Sequence, residues 1–194
     1  MRMWTCVLGV VVAVCAQGAS MTKGERERLI AHLQMTEAWL ADETSHLSRE
    51  QLEYHPSPEQ WSVIDVVEHL NLAEPVYWRQ FHDALKQPVT GEKPRVGDLD
   101  VLWYGVDRTV HQKTSPNKVP KSGSTDLKAR LDAFRKLHGE MLDYTRGSND
   151  DLRGRLIDKE GTDAYQWLLM ISTHAQRHIL QIREIKASPG FPKT

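Results

Sequence analysis

The sequence predicts an all-α fold, a four-helix bundle with a long crossover connection, and three observations lead to it. Apolar residues recur every three or four positions along four long segments. Capping pairs, a Ser or Thr with an acidic residue or Gln three positions on, stand at the heads of several segments. No stretch alternates apolar and polar residues as a half-buried strand would.

Taken in order, Thr22 and Glu25 form the first capping box, and Leu29, Ile30, Leu33, Leu40 and Leu47 follow at helical spacing, giving a helix over Lys23–His46. Glu37 lies at the edge of that stripe. Ser48 and Gln51 open a single turn that Pro56 and Pro58 stop. Ser62 and Asp65 cap the second long helix, read from Trp61 to Trp78, with Val66, Leu70, Ala73 and Tyr77 inward and His69 beside them. Pro75 removes a backbone donor and crowds the Asn71 carbonyl, which predicts a kink about a turn past His69. Pro88 to Pro94 reads as loop. Asp98–Val106 is apolar enough for a helix inside the crossover, although Gly105 and the valines weaken it. Lys113–Gly123, with Pro116, Pro120 and three lysines, has the composition of an exposed linker, and so long a connection lets consecutive helices run parallel. Thr125 opens the third long helix, with Leu127, Leu131, Phe134, Leu137, Met141 and Leu142 on one face, His138 at its boundary, and an end by Gly147. Asp150–Leu152 predicts a short helical turn, and Asp163–Ala187 the final helix.

With 194 residues, 40% of them hydrophobic, the chain suits one domain with a sizeable core, here residues 21–190. A net charge of -1 offers no footprint for nucleic acid or anionic lipid, so a small molecule or another protein is the expected partner. Residues 1–20 read as a secretory signal peptide: Arg2, an apolar run from Trp4 to Ala16, and Ala16 and Gly18 at a cleavage position. On that reading the protein is exported, and the run is too short for a comfortable membrane span. The other reading is an extension upstream of a true start at Met21, which leaves the protein cytoplasmic. Bulky Val14 argues against a lipid anchor at Cys15. Cys6 and Cys15 both lie in this segment, so the domain itself has no thiol nucleophile.

The chemistry centres on histidine. His174 and His178, four apart, share a helix face with Trp167, Ile171, Ile182 and Ile185, and His69 comes from a partner helix. Such imidazoles can be hydrogen-bonded core residues, or three ligands to a divalent metal such as Zn, Ni or Fe with an open position for chemistry. Gln181, one turn beyond His178, can orient it or line the pocket. Arg177 points about a hundred degrees away, where an ion pair or interface is its default role. Glu74, Glu37 and Asp65 are candidate bases whose bland reading is surface or supporting carboxylate, and no catalytic residue can be assigned among them.

The run from Trp61 to Leu70, containing His69, together with Thr173 to Ile182, containing His174 and His178, resembles the DinB-like (DinB/YfiT) superfamily of small helical metal-binding proteins. Helix order agrees from Thr22 to Ala187. The resemblance implies an up-down-down-up bundle, a divalent metal on His69, His174 and His178, and a homodimer. It also implies either a hydrolase-like enzyme activating water on a small substrate or a metal-dependent thiol S-transferase; a metal-binding protein without catalysis is the third reading, because no general base is assigned.

Overall fold

Caps set where the helices begin. The computed structural model describes residues 20–110, 113–121, 126–157 and 161–193. Within them α1 (Lys23–Thr44) starts at a complete capping box, in which Thr22 Oγ1 accepts the Glu25 N–H and Glu25 Oε2 accepts the Thr22 N–H at 2.8 Å. It ends two residues short of the predicted His46, which itself takes φ +59° in the left-handed region and carries the chain out of the helix. Equivalent boxes at Ser48 and Ser62 start α2 (Arg49–Glu53) and α3 (Val63–Leu85). Asp126 and Asp163 cap α5 (Leu127–Gly147) and α6 (Ala164–Lys186). Thr125, the predicted opener of α5, lies outside the described residues, as do residues 1–19 of the predicted leader 1–20 and with them both cysteines. Trp61 is not helical but precedes the Ser62 cap. α3 continues as helix through Pro75 to Leu85.

Cross-helix contacts set the topology. Arg26, at the start of α1, donates to the carbonyls of Thr145 and Ser148 at the end of α5, so these two helices are antiparallel. His32 meets Ser172, and Glu43 meets Arg183, so α1 and α6 are parallel. Asn71 with Arg130, and Glu74 with His138, make α3 and α5 parallel. Trp167 donates to the carbonyl of Tyr77, and His69 meets His174, so α3 and α6 are antiparallel. The bundle is therefore up-down-down-up, with α3 and α5 joined by the long crossover.

The crossover carries the predicted helix, α4 (Asp98–Val106), which packs along α6. A helix covered by α1, α3 and α4 has little exposed face, and most of α6 from Ala164 to Ile185 is buried. Arg153 ties the ends of these elements together. Its guanidinium donates to Glu25, Asp98 and Asp163 at 2.7–2.9 Å, which joins the heads of α1, α4 and α6, and it lies over the Tyr165 ring. Three acidic groups near helix N-termini are also favoured by the helix dipoles.

Asp150–Leu152 is not a helical turn. The chain bends there into a two-residue antiparallel ladder, β1 (Leu156–Ile157) with β2 (Thr162–Asp163), in the register Leu156 to Asp163 and Ile157 to Thr162. A ribbon that short has no room to show alternation, so no periodicity signals it. Among the described residues no helix is long and apolar enough to cross a membrane.

The apolar core falls into two clusters. One gathers Leu29, Leu33, Phe81, Met141, Leu168 and Ile171, the other Leu40, Val66, Leu70, Phe134, Ile179 and Ile182. Along each long helix the break between them is marked by buried polar residues: Thr36 on α1, Glu74 on α3, His138 on α5, and Ser172 and His174 on α6. A polar layer thus crosses the bundle at mid-height.

Close packing of α4 on α6 gives a stability test. A Cβ at Gly105 would stand 3.0 Å from Thr173 Cβ and 3.1 Å from its carbonyl oxygen, whereas one at Gly139 in α5 would meet nothing within 4 Å. Gly105→Val is expected to lower stability by about 1–3 kcal/mol, and Gly139→Ala to raise it by about 0.5–1 kcal/mol. Chemical denaturation of the two variants checks this, and equal shifts in both would contradict the packing assigned to α4.

Candidate metal centre

Three turns of helix bring the histidines together. α3 is set by its cap at Ser62 and places His69 facing α6, where the four-residue spacing stacks His174 and His178 one turn apart. Ring centroids lie 5.2 Å apart for His69 and His174, 4.5 Å for His69 and His178, and 4.5 Å for His174 and His178. One ligand-capable nitrogen from each ring lies within 4.8 Å of the other two. The Nε2 atoms of His69 and His174 are 3.3 Å apart.

The outer nitrogens fix which edge faces inward. His69 Nδ1 is 2.8 Å from the carbonyl of Lys118, which can only accept, so this ring carries its proton on Nδ1 and turns a lone pair at Nε2 to the centre. His178 Nδ1 is 2.9 Å from Gln181 Oε1, so the predicted orienting role of Gln181 has a geometry, and Gln181 lines the cavity as well. His174 Nδ1 is buried without a hydrogen-bond partner, and its nearest carboxyl oxygen, Glu74 Oε1, stands 3.9 Å away. Converging imidazole lone pairs repel one another unless a cation lies between them, and borderline divalent ions take such donors.

The surroundings keep the rings neutral. Burial lowers the affinity of His69 for a proton, and burial together with the neighbouring histidines takes His174 well below the usual imidazole range. Burial, and then His69, brings His178 down to about 3. Neutral imidazole is the form that ligates metals. Trp61 lies tilted against His69 and stacks with His178, with centroids at 4.8 and 6.2 Å, and the Tyr77 ring meets His174 edge-on at 5.2 Å. Outside them a cavity of about 730 Å³ opens between α3, α6 and the crossover, a size suited to a small molecule. Arg108, Lys113 and Lys118 line it, against Glu59 and Glu184. The segment expected as a plain exposed linker therefore contributes to the site: its 3-10 turn (Pro116–Lys118) supplies the carbonyl that holds His69, and Lys118 Nζ sits 4.1 Å above the Tyr77 ring.

The other sequence candidates separate clearly. Glu74 is fully buried rather than a surface carboxylate, and its Oε2 pairs with His138 Nε2 at 3.0 Å. Burial pushes its carboxyl up, against the pull of His138. His138 is likewise buried, not a boundary residue. Both could have been placed by extending their stripes, since Glu74 follows Val66 and Leu70, and His138 follows Phe134, at helical spacing. Asp65 serves the Ser62 capping box and lies 3.5 Å from His55. Glu37 is half-buried on α1 and does not line the cavity. Arg177 is buried, and its guanidinium donates to the carbonyls of Tyr104, Asp107 and Val110 and so holds the end of α4 to α6. Sequence reading passed over His32, whose two ring nitrogens contact Ser172 at 2.7 Å and Gln176 at 3.1 Å.

Comparison with known proteins identifies the family and the fold. The profile of the DinB superfamily matches residues 28–182. The uncharacterized protein YuaE of Bacillus subtilis is 28% identical over 158 residues, 77% of this chain and 91% of that protein. In fold the chain is similar to Bacillus subtilis YfiT, at a TM-score of 0.57 and 20% identity, covering 89% of this chain and 92% of the other. YfiT is described as a probable metal-dependent hydrolase with an unusual four-helix bundle topology.

The depressed histidines set a pH dependence for metal-stripped protein. Unfolded imidazoles take up protons near pH 6.5, while the folded rings resist them, so this part of the stability is complete above pH 6.5 and is lost as pH falls toward 3. Denaturation midpoints in chelator are expected to drop between pH 7.5 and 5.5, and less so in His178→Gln. A midpoint that stays flat or rises over that interval contradicts the burial described.

Proposed function

Because the chain belongs to the DinB superfamily, we propose that it is a metal-dependent enzyme of hydrolase-like chemistry, with His69, His174 and His178 holding one divalent ion. The observation that carries this reading is the convergence of three neutral imidazoles whose outer nitrogens are committed to, or placed beside, acceptors away from the centre. The description of YfiT supports the same class of chemistry. Hydrogen-bonded core histidines would have no need to aim their inner nitrogens at one point.

The donor set fits the ion. Three nitrogen ligands leave at least one position open, the pattern of catalytic rather than closed structural sites. The ion supplies Lewis acidity, which activates water and polarises a substrate carbonyl or phosphoryl oxygen. The protein supplies the rest. Lys118 and Gln181 hold two of the rings in their ligating tautomer and orientation. Trp61 and Tyr77 cover the rings and exclude bulk water, which strengthens every electrostatic contact inside. The cavity admits a small substrate from the crossover side, where Arg108, fixed by a two-point pair with Glu184 at 2.8 and 3.0 Å, and Lys118 are placed to meet its polar groups.

Metal analysis of the purified full chain is expected to show close to one divalent ion per chain. His69→Ala and His178→Ala should each lose most of it, and undiminished content in both variants would reject the site. On the loaded protein, an ester and amide panel is expected to show turnover, while turnover confined to a panel of thiol acceptors would move the assignment to S-transfer.

A further inference from the structure

We propose that Glu74 is a positioning residue for His174: its Oε1 receives the His174 Nδ1–H once Nε2 of that ring is turned to a cation, and His138 holds the carboxyl from the far side. The inference rests on the metal reading above and extends it through the core to α5. Two of the three imidazoles already have an acceptor at Nδ1, the Lys118 carbonyl and Gln181 Oε1. The third has none, yet a buried carboxyl oxygen stands 3.9 Å from it, and both atoms lack a hydrogen-bond partner. Buried polar atoms without partners are rare, and two of them facing each other mark an interaction that another state completes.

The tautomers say which state. His69 turns its Nε2 lone pair toward His174 Nε2 across 3.3 Å, so Nε2 is the nitrogen His174 presents to the centre and Nδ1 the one it turns to Glu74. With Nε2 committed to a cation, the one proton of the neutral ring would sit on Nδ1, where a donor would face the Glu74 acceptor. The carboxyl cannot swing away, because Glu74 Oε2 is held at 3.0 Å by His138 Nε2, and both residues are fully buried between the two apolar clusters.

Imidazole ¹H–¹⁵N spectra and Zn²⁺ titration of the full chain test this. In the Zn²⁺-loaded wild type the His174 Nδ1 proton is expected to be protected from exchange and shifted downfield. Glu74→Met should remove both signatures and weaken Zn²⁺ binding by about 10–100-fold. Glu74→Gln keeps the shape and an acceptor but not the charge, so it should fold, move that proton upfield and bind about 10-fold more weakly. His138→Phe should move the same proton although it does not touch the ion. A wild type that binds one Zn²⁺ while the Glu74 variants leave proton and affinity unchanged overturns the role of Glu74 alone. A wild type that takes up no Zn²⁺ overturns the metal site as well.

Discussion

A helix covered on three sides has to satisfy its polar groups inside the protein, and α6 is that helix. Its middle carries Ser172, Thr173, His174, Gln176, Arg177 and His178, each of which would be costly to bury unpaired. The surrounding elements supply the partners. α1 brings His32 and Thr36 to Ser172, the end of α4 brings three carbonyls to Arg177, and α3 brings His69 and Glu74 toward His174. The bundle is arranged around those obligations as much as around its apolar stripes.

This arrangement also explains the divided core. Two apolar clusters flank a layer in which Thr36, Glu74, His138, Ser172 and His174 are all buried. Hydrophobic burial drives the helices together on either side. The polar layer fixes their register, because a helix displaced along its axis would lose the pair between Glu74 and His138 or the contact between Thr36 and Ser172. The histidine centre sits at the edge of the layer, where the cavity reaches it, so its rings combine a dry setting with an entrance.

Much of the bundle was legible along the chain because its cause is local. Capping pairs at Thr22, Ser48 and Ser62, and stripes such as Phe134, Met141 and Leu142, are properties of neighbouring residues, and they place the helix heads closely, although α3 runs on past its predicted end at Trp78 to Leu85. His69, His174 and His178 were legible as inward residues for the same reason. The short ladder at Leu156–Ile157 was not, since two residues carry no period. Nor was the role of Arg177, whose partners are backbone carbonyls and leave no trace in residue type.

By itself the sequence determined the class of fold, the helix heads and the faces that turn inward, because capping and amphipathic periodicity act over a few residues. The two histidine-bearing runs carried a resemblance to the superfamily, and the family profile over residues 28–182 shows the membership. Only the tertiary structure decided that Lys118 would hold His69 through a backbone carbonyl 49 positions away, that Glu74 and His138 would pair in the core, and that a linker rich in lysine and proline would wall the cavity. Those outcomes depend on which helices become neighbours and on the direction each one runs, and distance along the chain carries no record of either.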